Sequence, residues 1–354
     1  MIVYLLNIFF IFLWAFVLLY KNNSKKNKKI YCTIVALQWI VISGLRHWSV
    51  GSDTYAYHNS FERVKNYSWG YVLSACKDYL LGTFEDYKDP GYTFLTKAFQ
   101  VFCGDYQIFL LFIAALFTGL MARWIYKYST KPEISFLIYS VLFYSFYAVT
   151  GHRQTVATAL IFFLGYEFAK ERKFVKFAIL AFIAFMLHKS SLVFILYYLI
   201  AGINLSFIYV LIMSVSIGVV FIFGKQLYAP IAYALGFSEG TIEYSGGGAE
   251  TYATILVALC LVSFVLYKWI SQRREDSKNL YNLMFLTVGS SLLIYHNQSF
   301  MRIQQYYSLV IMLMMPEIIL SIDKKYRVWA YSGVVIVLIL YLVRNNPYYR
   351  FCFL

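Results

Sequence analysis

The chain has 354 residues, 61% of them hydrophobic and 14% charged, with five prolines and a formal charge of +14. Apolar runs of roughly 15 to 21 residues recur throughout, more than any water-soluble core absorbs, so the fold class expected is all-α, a polytopic helical membrane protein. Strand-like alternation is absent, which argues against a barrel, and the positive surplus is one of topology, which removes nucleic acid as a partner.

About 12 transmembrane helices fit, over roughly 3–20, 30–47, 106–126, 134–150, 154–169, 174–188, 190–203, 206–223, 251–270, 280–296, 303–320 and 328–343. The first run is followed, not preceded, by basic residues and lacks a small-residue cleavage pattern, so it is read as a span and not as a signal peptide. After the second span comes an outer loop, 48–105, in which amphipathic helices are expected near Trp69 to Leu81 and Pro90 to Phe102. Gly151-His152-Arg153-Gln154 divides 134–169 into two halves, and His188-Lys189-Ser190-Ser191 divides 174–203. One unbroken helix over 174–203 would put His188 and Lys189 at mid-membrane and invert every later loop. A second outer loop, 225–250, carries Ser245-Gly246-Gly247-Gly248, a hinge without the strand–turn–helix context of a nucleotide-binding loop.

Nineteen of the 31 lysines and arginines lie in the loops between Lys21 and Lys29, Arg123 and Lys131, Lys170 and Lys176, Lys268 and Lys278, and Lys324 and Arg327. The positive-inside rule makes these loops cytoplasmic and puts both termini outside. None is long enough for a folded domain, which excludes a transferase domain fed by a nucleotide sugar. The expected organisation is one integral membrane domain, 1–354, with two larger outer loops, 48–105 and 225–250.

All five histidines, His47, His58, His152, His188 and His296, fall on the outer side. Ionisable groups at membrane helix ends are costly and mark sites. Arg46, Arg153 and Arg302 end apolar runs, and a guanidinium fork suits phosphate oxygens; the alternative is that each snorkels and anchors its helix. His188 is the first candidate for a general base and His152 the second, the alternative being interfacial hydrogen bonding. Asp53 either orients a sugar hydroxyl or holds Arg46. Loop aromatics such as Tyr57 either stack on sugar rings or belong to an interfacial belt. Arg302, Gln305 and Tyr306 share a helical face, so the Tyr306 hydroxyl is expected to orient the Arg302 guanidinium. Glu85-Asp86-Tyr87-Lys88-Asp89 lacks defined ligand geometry, and neither metal nor cofactor is expected. An oxidising outer compartment permits a Cys76–Cys103 disulfide; free thiols are the alternative.

Arg46-His47-Trp48-Ser49-Val50-Gly51-Ser52-Asp53-Thr54-Tyr55-Ala56-Tyr57 resembles the opening signature of the EpsG family, related to Wzy-type O-antigen and capsule polymerases. Asp89-Pro90-Gly91-Tyr92 resembles its acidic-x-Gly-aromatic element, where the family more often has glutamate. Arg153-Gln154 with Ala157, His188 with Ser190, and Arg302 with Tyr306 are similar to its remaining elements. The resemblance implies a glycosyltransferase in the bacterial cytoplasmic membrane with its active site facing outward. It would join oligosaccharide repeat units carried on polyprenyl pyrophosphate, such as undecaprenyl pyrophosphate, into a capsule, exopolysaccharide or O-antigen chain. Its partners would be those lipid-linked donors and acceptors, the bilayer, a flippase and a chain-length regulator. Catalytic roles then fall to His188, His152, Arg153, Arg302 and Arg46, and substrate binding to Asp53, Gln154, Tyr306, Tyr57 and Asp89. The rival readings are a lipid-oligosaccharide flippase, which needs charges along a transmembrane path, and a glycan acyltransferase, which needs chemistry on the inner side, where no histidine lies.

Overall fold

The computed structural model describes residues 1–20, 24–83, 88–224, 226, 230, 233 and 249–353. It is 82% helical, and the described residues contain no strand, only an isolated bridge between Arg46 and Phe351. The helices start where the sequence offers an acceptor for their unpaired N–H groups. Ser24 accepts from Asn27 N at 3.2 Å at the start of the helix Lys25–Gly44, and Ser68 accepts from Tyr71 N at 3.1 Å at the start of the helix Trp69–Leu81.

In chain order the helices are α1 (Ile2–Ala15, prolonged to Tyr20), α2 (Lys25–Gly44), α3 (Thr54–Lys65), α4 (Trp69–Leu81), α5 (Pro90–Gln100) and α6 (Tyr106–Tyr128). Next come α7 (Pro132–Ile138), continued through wide turns to Thr150, α8 (His152–Thr158), continued likewise into α9 (Gly165–Lys170), and α10 (Phe174–Leu187). A tight 3₁₀ segment, Lys189–Phe194, leads into α11 (Ile195–Ile200), then α12 (Phe207–Ile222), α13 (Glu250–Val265), α14 (Tyr267–Arg273) and α15 (Ser277–Ile294). The last three are α16 (Met301–Ser308), α17 (Ile311–Ser321) and α18 (Lys324–Asn345). The two amphipathic helices expected in the first outer loop are α4 and α5; the second ends at Gln100, two residues short of the expected Phe102.

Among the described residues, three helices are long and apolar enough to cross a membrane: Ile2–Tyr20, Tyr106–Tyr128 and Lys324–Asn345. Counting each of two bent helix pairs as one span brings the number to five, and four shorter apolar helices remain. Their outward faces are apolar: α12 buries no side chain and exposes Ile208, Leu211, Ile212, Val215 and Val219. Such a surface is stable only when lipid or protein covers it.

Polar contacts sort to two ends of the helix bundle. At one end Lys28 donates to Ser129 O (2.6 Å), Arg274 to Tyr128 O (2.9 Å) and to Glu317 (3.2 Å), and Lys170 pairs with Asp276 (3.0 Å). Arg123 and Lys127 pair with Glu167 there. The basic loops of the sequence thus meet one another. Arg46 lies at the far end of α2, a helix of 20 residues, or about 30 Å. The Met1 amine donates to Pro347 O at 2.7 Å, and Cys352 N to Leu45 O at 2.9 Å, so both described chain ends sit beside Arg46.

The chain breaks at Gly151 and at His188 are hairpin tips. Residues on both sides of Gly151 return to the basic end, at Ser129 and Glu167, and after His188 the chain runs back to Ile200, whose carbonyl accepts from Asn282 at 2.7 Å. All five cysteines are free, so Cys76 and Cys103 are not bridged. The Ser245–Gly248 hinge and the Glu85-Asp86-Tyr87 part of the acidic run lie outside the described residues.

Candidate active site

Asp89 is the hub. It precedes Pro90, the first residue of α5, and holds a left-handed backbone at φ 57°. Aspartate tolerates that region better than most residues, and strain of this kind clusters at functional positions. Two residues on, Gly91 meets the end of α10: a Cβ there would lie 2.6 Å from the Met186 carbonyl. Only glycine permits this approach, and it brings Asp89 beside His188.

The Asp89 carboxylate, 3% exposed, then makes three contacts. Oδ2 lies 2.9 Å from His188 Nδ1 and 3.0 Å from an Arg153 guanidinium nitrogen, and Oδ1 accepts from Lys189 N at 3.1 Å. Burial alone would raise this carboxyl, but the hydrogen bond and charge of His188, then Arg153 and the Lys189 N–H, outweigh it and hold it below the usual carboxylate range. A carboxylate only accepts, so Nδ1 of His188 carries the hydrogen, and in the neutral ring Nε2 then keeps its lone pair. No described protein group bonds that Nε2.

His188 forms part of the wall of a cavity of about 1000 Å³. Asp53, Ala56, Tyr57, Ser60 and Arg63 line one side, at the three- and four-residue spacing of a single face of α3. Lys88, Asp89, Tyr92, Arg153, Gln154, Gln298 and Arg302 line the rest. Gln154 donates to Arg302 O at 2.6 Å, which ties the start of α8 to α16 and brings Arg153 and Arg302 to one wall. Lys88 is exposed to the cavity; burial by surrounding protein, then repulsion from Arg153 and Arg302, lower its ammonium below the ordinary lysine range.

Three of the sequence candidates stand behind this wall instead of on it. Arg46, 2% exposed, donates to Ser43 O, to Val149 O (3.1 Å) and to His152 Nε2 (2.6 Å). Guanidinium cannot accept, so the His152 ring is neutral and its Nε2 lone pair is occupied. His152 lies flat against Tyr57, with centroids 4.4 Å apart and planes at 14°, while the Arg153 guanidinium carbon lies 5.7 Å from the same ring centre. Asp53 is on the wall and is not a partner of Arg46, whose contacts are carbonyls and an imidazole. Tyr306 is fully buried; its hydroxyl is 3.4 Å from Ser190 Oγ, so it braces the turn after His188, a correction to the expected role on the Arg302 guanidinium.

Residues 29–353 match the model of the EpsG family. The chain belongs to the EpsG family. This is a Wzy-like polymerase family. No curated relative and no solved structure matches the chain. Within this EpsG chain, the acidic-x-Gly-aromatic element has a physical reading: Asp89 holds His188, Gly91 admits Met186, and Tyr92 is buried with its ring 5.8 Å from Tyr57. Two wall cations escaped the sequence reading, Arg63 and Lys88. Arg63 was legible from the polar spacing of α3, whereas Lys88 sat inside an acidic run and gave no signal.

Acid should loosen this site. The Asp89 carboxyl is depressed, so the stability it contributes is complete above the unfolded carboxylate range and is lost as pH falls through the lower folded value. Thermal melting of the purified protein should therefore decline on acidification below about pH 4, and Asp89→Asn should flatten that dependence. Equal slopes in both proteins would disprove the linkage.

Proposed function

We propose that this protein is a polysaccharide polymerase, a glycosyltransferase that joins oligosaccharide repeat units carried on polyprenyl diphosphate. The observation that carries this reading is the Asp89-oriented His188 on the wall of a cationic cavity. In the reaction, the acceptor sugar hydroxyl oxygen bonds to the donor's anomeric carbon as the bond from that carbon to the diphosphate oxygen breaks. His188 Nε2 takes the hydroxyl proton. The electron pair of the broken bond leaves with the polyprenyl diphosphate, whose growing negative charge the guanidinium of Arg302 and its neighbours stabilise in a site of low dielectric. Asp53, Gln154 and the Tyr57 ring position the sugars, and Arg46 and His152 hold Tyr57 from behind.

In this reading all twelve helical passes cross the bacterial cytoplasmic membrane, in a GT-C-like arrangement, and the cavity opens outward, where a flippase delivers the donor and a chain-length regulator acts on the product. The positive-inside distribution of the basic loops supports that orientation. The flippase reading is weaker because the cations of the cavity wall crowd one end of the bundle. The deciding experiment is reconstitution with a lipid-linked repeat unit and no nucleotide sugar: lengthening of the lipid-linked chain is expected, and its absence with a competent donor would overturn the assignment.

A single comparison separates the two histidines. His152→Asn should shorten or thin the polymer without abolishing it, because its Nε2 already serves Arg46. His188→Asn should leave none. Polymer ladders on gels read both, and complete loss in His152→Asn protein that still folds would reverse the assignment of the base.

A further inference from the structure

One flank of α3 serves the catalytic cavity, and the other bears a groove of its own. Among the described residues this groove, of about 600 Å³, is lined by Tyr55, Ala56, Asn59, Glu62 and Arg63, whose three- and four-residue spacing keeps them on one side of the helix. Ala56 and Arg63 line the catalytic cavity as well, so they form the crest between the two. At Ala56 that crest is a single methyl group high. Tyr55 and Tyr57 are two residues apart on the helix and so face opposite flanks, Tyr57 toward the cavity and Tyr55 toward the groove. Tyr55 is 59% exposed, yet its ring is braced: Trp48 lies 5.7 Å away, stacked in turn on His58 at 5.2 Å, and His58 meets Tyr106 edge-on at 5.0 Å. Exposed tyrosines on a membrane protein commonly anchor it in the lipid interface. That role does not fit α3, which buries its apolar Phe61 and Val64 in the protein and turns Glu62, Arg63 and Lys65 outward. A fixed aromatic ring beside an amide and a guanidinium suits a hydroxyl-rich ligand, whose sugar rings stack on Tyr55 while their hydroxyls donate to and accept from Asn59. Glu62 contributes less, since it is already bound to Lys65 at 2.7 Å.

We propose that this groove is a glycan-binding subsite, which holds the growing oligosaccharide several sugars away from the reacting pair, after the chain has crossed α3 at Ala56. That the glycan is a growing chain rests on the polymerase reading; a saccharide site on this flank does not. Tyr55 is braced before the ligand arrives, so little ordering is lost on binding. The groove adds affinity only to a chain long enough to reach it from the cavity, where the second contact becomes intramolecular. Long chains are thereby retained between additions, and product length depends on a side chain outside the catalytic cavity.

The test is binding of end-labelled oligosaccharides to the full-length protein in nanodiscs, with probes of one and of several repeat units released from the polymer of cells that carry this protein. The longer probe should bind roughly tenfold tighter than the single unit. Tyr55→Ala should bind the longer probe roughly tenfold more weakly than the parent and the single unit no differently, and the polymer ladder made in cells should shift to short products. Tyr55→Trp keeps an aromatic face and should stay near the parent, which also shows that the flank is intact. No gain of affinity with length in the parent, the same gain in Tyr55→Ala, or an equal loss for both probes would each overturn the proposal. If reconstituted protein elongates lipid-linked units and Tyr55→Ala gives the parent's ladder, the groove falls and the polymerase reading stands. Should Tyr55-dependent binding of the longer probe appear in protein that elongates no lipid-linked unit, the saccharide site stands and the polymerase reading falls.

Discussion

Replacement of Asp89 by asparagine is expected to slow elongation by roughly 10²- to 10⁴-fold, the span of a positioned general base, while leaving the protein folded. The reasoning is one of tautomers. Asparagine is nearly isosteric, tolerates the left-handed backbone at φ 57°, and its carbonyl can still accept from Lys189 N or Arg153. Its amide nitrogen, however, donates toward His188 Nδ1, which drives the hydrogen to Nε2 and removes the lone pair needed by the acceptor hydroxyl. His188→Ala should match it in rate, and the double variant should be no slower than either single one, because both remove the same function. Initial rates on a lipid-linked repeat unit measure this; a fully active Asp89→Asn protein would sink the mechanism.

The second large effect is on stability. Arg46→Ala is expected to lower stability by roughly 3 kcal/mol, enough to cut the yield of folded protein in the membrane. Two terms oppose each other. Removing a buried cation with no carboxylate partner among its contacts is favourable, since such a charge is costly to desolvate. Against this, Ser43 O, Val149 O and His152 Nε2 lose their donor together and a cavity opens between α2 and α8, and these losses are the larger. Arg46→Lys should rescue yield in part, but a single ammonium cannot span the same three acceptors, so His152 loses its fixed plane and Tyr57 its backing. The expected result is a folded protein with reduced polymer. Detergent melting curves and polymer ladders on the same preparations separate the two effects, and an Arg46→Ala protein as stable as the parent would show that the buried guanidinium is not structural.

Much of the architecture was legible because lipid imposes strong rules. Apolar run lengths and the distribution of lysine and arginine were enough for an all-helical membrane chain with its basic loops together, and the structure gathers Lys28, Tyr128, Lys170, Arg274 and Glu317 at one end. The helices α4 and α5 were legible from their amphipathic spacing and their caps. Local motifs also indicated which stretches approach one another at the other end, since Arg153, His188 and Arg302 all terminate apolar runs on the same side.

What sequence alone determined, then, is class, which loops gather at one end and the short list of ionisable groups, because burial of charge in lipid is penalised whatever the packing. Which of those groups face the cavity was decided only by tertiary contacts. Arg46 and His152 look like wall residues in one dimension, yet the turn at Gly51 and the hairpin at Gly151 fold them back against each other. Asp89 and His188 are 99 residues apart in the chain. Only the close packing of Gly91 on Met186 makes them a pair, and only their pairing sets the proton on Nδ1. A side chain's chemistry here is a property of its partner, and partners distant in sequence are chosen by the fold.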